Sequence, residues 1–113
     1  MDDLDIEEFF APLGPVTIRR MFGGKGIYFE GRIVAIDLGD EILLKADETT
    51  APRFAEAGAT QWRYAHRRSG EPVAMPYWTV PDAALDDADD RAGWLGLAVE
   101  AAMRADAPRK RKR

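Results

Sequence analysis

Arg19 and Arg20 stand just ahead of a glycine cluster, Gly23, Gly24 and Gly26. Two adjacent guanidiniums beside backbone that can take positive φ are suited to holding an anion. The glycines do not form a phosphate-binding loop of the strand-to-helix kind. That motif ends in Gly-Lys-Ser/Thr and opens a helix, whereas Gly-Gly-Lys-Gly here runs into the strand-like Ile27-Tyr28-Phe29. A β-bulge or tight connection is the plainer reading. Alternation along residues 16 to 22 places Val16, Ile18, Arg20 and Phe22 on one face and Thr17, Arg19 and Met21 on the other. Arg20 then shares the more apolar face, where a permanent charge needs a partner. An internal ion pair is the favoured expectation for it, with an anion pocket as the alternative. Lys45 alternates with Leu43, so it either snorkels at the sheet rim or faces a pocket shared with Arg20.

A second group is aromatic. Trp62, Tyr64, Tyr77 and Trp78 lie on two strand-like segments with Met75 between them in sequence, and such strands can present a stacking platform or a protein hot spot. Packing between sheet and helices is the competing and favoured use of the same rings. A third group is catalytic in type only. Ser69 is the single serine and His66 the single histidine, and both fall in a hairpin loop between strands, where exposure is expected rather than activation. With one histidine and no cysteine, neither a protein-only zinc site nor thiolate chemistry is expected. Asp86-Asp87-Ala88-Asp89-Asp90 reads as helix capping and solvation before it reads as a metal site. No catalytic residue, metal or cofactor is assigned, and nothing in the sequence requires an enzyme.

The elements that must position these groups fit one domain. The 113 residues suffice for a single modest core, read here as a domain over 1–107 followed by a tail over 108–113. Net charge is −4, but Arg109, Lys110, Arg111, Lys112 and Arg113 are all basic, leaving 11 basic against 20 acidic residues elsewhere. The body repels nucleic acid, and only the tail, expected to be disordered, would attract it weakly and without sequence preference. No apolar run approaches the roughly 20 residues of a membrane span, and the acidic start is unlike a signal peptide, so a cytoplasmic location and no membrane partner are expected.

The pattern predicts a helix over 4–11 on the stripe Ile6, Phe9, Phe10, Leu13, with Asp5 and Glu8 at capping-box spacing. Strands follow at 16–22, 25–29, 32–38 and 41–46, joined by short turns at Glu30-Gly31 and Gly39-Asp40, which makes an antiparallel meander. The run at 32–38 is apolar on both faces, as a central strand covered on both sides would be. Asp47 or Thr49 caps a helix carrying Phe54, with Gly58 as its stop. Strands at 61–66 and 72–79 form a hairpin, and Pro76 pushes the second of them, or that position, to a sheet edge. A short helical turn through Leu85 precedes a last helix from Asp86 or Asp87 to about Arg104, striped by Trp94, Leu95, Ala98, Val99, Ala102 and Met103. The expected fold is α+β: an antiparallel sheet, meander plus hairpin, with N-terminal and C-terminal helices packed on it.

The run Arg19-Arg20-Met21-Phe22-Gly23-Gly24-Lys25-Gly26-Ile27-Tyr28 resembles the first motif of the TfoX N-terminal domain family. Leu43-Leu44-Lys45-Ala46-Asp47, Met75-Pro76-Tyr77-Trp78 and Pro81 extend the resemblance. Pro76 departs from the small polar residue often found there. The resemblance implies a secretion-chaperone-like α+β fold. It also implies kinship with regulators of natural competence genes, whose longer members add a helical C-terminal domain not seen within these 113 residues. The function implied is a non-enzymatic regulatory or adaptor domain that binds a protein partner. The alternatives are a nucleic-acid-associated protein using its tail and a small-anion sensor at Arg20 and Lys45. The candidate anion or partner site comprises Arg19, Arg20, Gly23, Gly24, Lys45, Tyr64, Met75, Tyr77 and Trp78. A homodimer through an exposed sheet edge or helix face is a further expectation.

Overall fold

The computed structural model describes residues 1–21, 23–39 and 41–106; Phe22, Asp40 and the tail Arg109 to Arg113 lie outside the described residues. Helix α1, Asp3–Phe9, is capped by Asp2, whose carboxylate accepts the N–H of Asp5 at 2.9 Å. The cap therefore falls three residues before the Asp5–Glu8 pair that the capping-box spacing suggested. Ile6 and Phe10 are fully buried, as the helical stripe predicts.

Four strands follow: β1 Thr17–Met21, β2 Gly24–Phe29, β3 Arg32–Asp37 and β4 Ile42–Lys45. After helix α2, Ala51–Glu56, the hairpin of β5 Gln61–Ala65 and β6 Pro72–Thr79 completes one antiparallel sheet in the order β1-β2-β3-β4-β6-β5. The turn between β2 and β3 has positive φ at both Glu30, 51°, and Gly31, 83°, the mirror-image geometry that suits the twist of a tight hairpin. At the glycines the structure has the tight connection, with Met21 pairing with Gly24 and Gly23 at φ 71°, and a register shift of β2 against β3 lies further along, between Ile27 and Tyr28.

Strand β6 is not an edge. It runs between β4 and β5, and the edges are β1 and β5. Pro76 is tolerated there because the β5–β6 register breaks between Gln61 and Arg63, so the ladder is interrupted where a backbone N–H is missing. The Pro76 carbonyl still accepts from Ala46 N at 3.0 Å, and the Gln61 side-chain amide donates to Met75 O at 2.9 Å.

Helix α3, Asp82–Asp86, leads into α4, Ala88–Asp106, whose start is held by Asp87 Oδ1 accepting from Asp89 N and Asp90 N at 2.9 and 3.3 Å. Leu95, Ala98 and Ala102 of α4 are buried, but Met103, expected in the stripe, is half exposed. All four helices feed one core, through Ile6, Phe10, Phe54, Ala84 and Leu95 against Ile27, Val34, Ile42 and Leu44 of the sheet. A second, smaller cluster of Ile36, Leu43 and Tyr77 lies apart, with Ile33, Leu38, Trp62 and Met75 against it and no helical residue in it. Among the described residues the sheet is therefore covered by helices on one face only, which corrects the expectation that both faces of β3 would be covered. Lys25 Nζ, 2.8 Å from Asp3 Oδ1, and the Met1 ammonium, 3.5 Å from buried Asp37, tie the start of the chain to β2 and β3.

Candidate functional site

Period-two alternation and strand register decide which side chains reach the helix-free face. Lys45 pairs with Tyr77 across β4 and β6, and Leu44 with Trp78 on the opposite side. Tyr64 pairs with Val73, two residues from Met75, and its ring lies 6.1 Å from that of Trp62. On the first two strands, Arg19 pairs with Gly26 and Met21 with Gly24, while Tyr28 pairs with Ile33 of the second cluster. Arg19, Lys45, Tyr64, Met75 and Tyr77 of the sequence-derived set thus share this one face, together with Met21, Tyr28 and Trp62, which that set omitted.

Six strands laid flat would put the two edges about 24 Å apart. Yet Met21 from edge strand β1 and Trp62 from edge strand β5 line the same hollow, of about 250 Å³. The sheet is curled, and its helix-free face is concave. Met75 and Tyr77 of β6, Ile36 of β3 and Leu38 form the rest of the apolar lining; Gly24 and Lys25 close it at the start of β2. Gly24 permits a close approach of β2 to β3, since a Cβ there would lie 2.0 Å from the Asp37 carbonyl oxygen. At Gly26 a Cβ would meet Met21 Sδ at 3.0 Å and Tyr28 Cε1 at 3.1 Å, so these two side chains fold over bare backbone. Met21, in the wall of the hollow, and Tyr64, beside Trp62, are 46% and 44% exposed, which leaves both open to a partner.

Next to the hollow lies a row of cations and phenols. The Arg19 guanidinium sits 5.1 Å from the centre of the Tyr28 ring, and Lys45 Nζ 5.5 Å from that of Tyr77. Burial, followed by the nearby Tyr28 phenol, pushes the Tyr77 hydroxyl above its ordinary value, so the Tyr77 phenol remains neutral near pH 7. Among the described strand residues Asp37 is the only carboxylate, and it is buried on the helix side against Met1. Among the described strand residues this face therefore carries positive charge only, in a chain whose net charge is −4.

Three site residues go elsewhere. Trp78 faces the helices, with its ring 6.2 Å from Phe54, and is a packing residue; adjacent Tyr77 and Trp78 necessarily point to opposite faces. Arg20 shares the helix side with Ile18 but pairs in register with Lys25 on an edge strand and is exposed, with no carboxylate ion pair among the described residues. The expectation of an internal pair fails because β1 is an edge strand on which Ile18 packs against the helix-side core while Arg20 stays exposed. Arg20 and Lys45, on opposite faces and three strands apart, form no common pocket. Gly23 is exposed in the turn before β2.

His66 and Ser69 are used within their hairpin. His66 Nδ1 accepts from Arg68 N and Ser69 N at 3.2 and 3.4 Å, and Ser69 Oγ accepts from Glu71 N at 3.2 Å. Among the described residues no group of three or more His, Cys, Asp or Glu could hold a metal ion, and no helix is long and apolar enough to cross a membrane.

Comparison with protein families matches the TfoX N-terminal domain to residues 8–102. Among curated proteins no match to the chain is found.

Proposed function

The chain belongs to the TfoX N-terminal domain family, and from that premise we propose that it is a non-enzymatic regulatory or adaptor domain that binds a protein partner on the helix-free face of its sheet. One observation carries the reading. Among the described residues, a concave face holding Trp62, Tyr64, Tyr77, Met21 and Met75 has no helix packed over it. Aromatic and methionine side chains around a central depression are the composition of protein hot spots, since they bury much area at little entropic cost. The side chains of His66 and Ser69 are spent on turn hydrogen bonds, which favours recognition over chemistry.

The test uses two exposed positions on the face. Met21→Glu combined with Tyr64→Glu should leave folding intact and abolish retention of specific proteins from a nuclease-treated lysate of the native cell. Leu85→Glu, at a half-exposed position on the helix side, should retain them. Retention that both variants preserve would refute the assignment of the binding face.

A further inference from the structure

The concave face also indicates what kind of partner it takes. We infer that its occupant is an acidic amphipathic helix of another protein, which seats one large apolar side chain in the hollow and sets carboxylates against Arg19 and Lys45. This rests on the helix-free face being the partner site, and three observations carry it further.

Shape is the first. A sheet face is covered either by helices or by a second sheet. Two copies of this face would meet concave to concave and leave a void between them, whereas a helix, a convex cylinder about 10–12 Å across, fits a curled sheet. The other face of the same sheet is already covered by helices.

Size is the second. The hollow, about 250 Å³, falls below the range of about 300–1,000 Å³ typical of pockets for drug-sized ligands, and its walls are mostly ring, thioether and aliphatic surface. It suits a single leucine, phenylalanine or tryptophan side chain used as an anchor.

Charge is the third. Arg19 and Lys45 are the cations that the strand register places on this face, and no strand carboxylate accompanies them. A second copy would set cation against cation, and a basic helix would be repelled. Carboxylates flanking the anchor meet the two cations, which sit over the Tyr28 and Tyr77 rings.

The experiment titrates isotope-labelled full-length protein with three synthetic amphipathic peptides of about 18 residues, long enough to form helix on contact. One has a leucine face flanked by glutamates. The second has lysine for every glutamate, and the third has serine for every leucine. The glutamate–leucine peptide should shift the Met21 and Met75 methyls and the Trp62 indole. The lysine version should bind about ten-fold more weakly, as two partly exposed charge contacts allow. The serine version should not bind. Arg19→Glu, at an exposed position and checked for an unchanged melt, should reverse the preference between the two charged peptides.

Equal affinity of the two charged peptides, or no shift with any peptide, overturns the acidic-helix assignment. It leaves the partner face itself standing if Met21→Glu with Tyr64→Glu still abolishes retention in the lysate. Shifts confined to α1 and α4 overturn both. A dimer in sedimentation that protects the same methyls without peptide overturns the assignment in favour of self-association.

Discussion

Replacing Arg91 with alanine should be among the more damaging single changes on the helix side, although alternation and charge pattern give that residue no special standing. Its Nε donates to the Phe9 carbonyl at 2.9 Å, and its Nη1 donates to the Ala84 and Leu85 carbonyls, both at 3.1 Å. Those carbonyls end α1 and α3, where helices leave acceptors without intrahelical partners. The guanidinium also covers the Phe9 ring at 4.8 Å, so one side chain joins three helices. A hydrogen bond to a charged group is worth about 1.5–3 kcal/mol in mutational series. Arg91 is only partly buried and the freed Leu85 carbonyl reaches water, so the summed loss is about 2–3 kcal/mol rather than three full bonds. For a domain of this size that corresponds to a fall in Tm of about 10–20 °C. Urea denaturation followed by tryptophan fluorescence measures it, with the midpoint expected to move at unchanged slope. Arg91→Lys should recover about half, because an ammonium keeps the charge but cannot span the carbonyls of two helices. A loss below about 0.5 kcal/mol for Arg91→Ala, the level of an ordinary surface substitution, would refute the stapling role.

Further outcomes follow from the same geometry. Gly24→Ala should cost about 3 kcal/mol, the upper end for overpacking, because the added carbon meets the Asp37 backbone rather than a side chain that can swing away; a melt within error of wild type would contradict it. Arg20→Ala should change stability by no more than about 0.5 kcal/mol, as its exposure on an edge strand requires, and chemical denaturation decides between this and a buried pair. The two-pronged hydrogen bond from Arg104, Nε to Oδ2 at 2.6 Å and Nη2 to Oδ1 at 3.1 Å, holds the Asp47 carboxyl down from 3.8 to about 2. Because the folded-state value is depressed, this contribution to stability is complete above about pH 4 and is lost as pH falls through about 2. Asp47→Asn should accordingly flatten the acid limb of a stability–pH curve between those values, and an unchanged limb would count against the pairing.

What the sequence determined by itself is whatever acts over a few residues. Glu30-Gly31 specified its turn and the Ile6–Phe10 stripe located the buried side of the first helix, since sterics and periodicity are local. The α+β class followed from the same signals. Only the tertiary structure decided which of the two apolar faces of β3 the helices would cover, because Ile36 and Ala35 are both apolar in sequence and what packs on each is set by distant elements. The assignment of Tyr77 to the open face and of Trp78 to the core followed from that choice. The curl that brings Met21 and Trp62 from opposite edges into one hollow is the sum of small twists over six strands, and no single residue encodes it. Arg20 was misplaced for the same reason: alternation gives the face of a side chain but not whether a helix extends far enough to bury it.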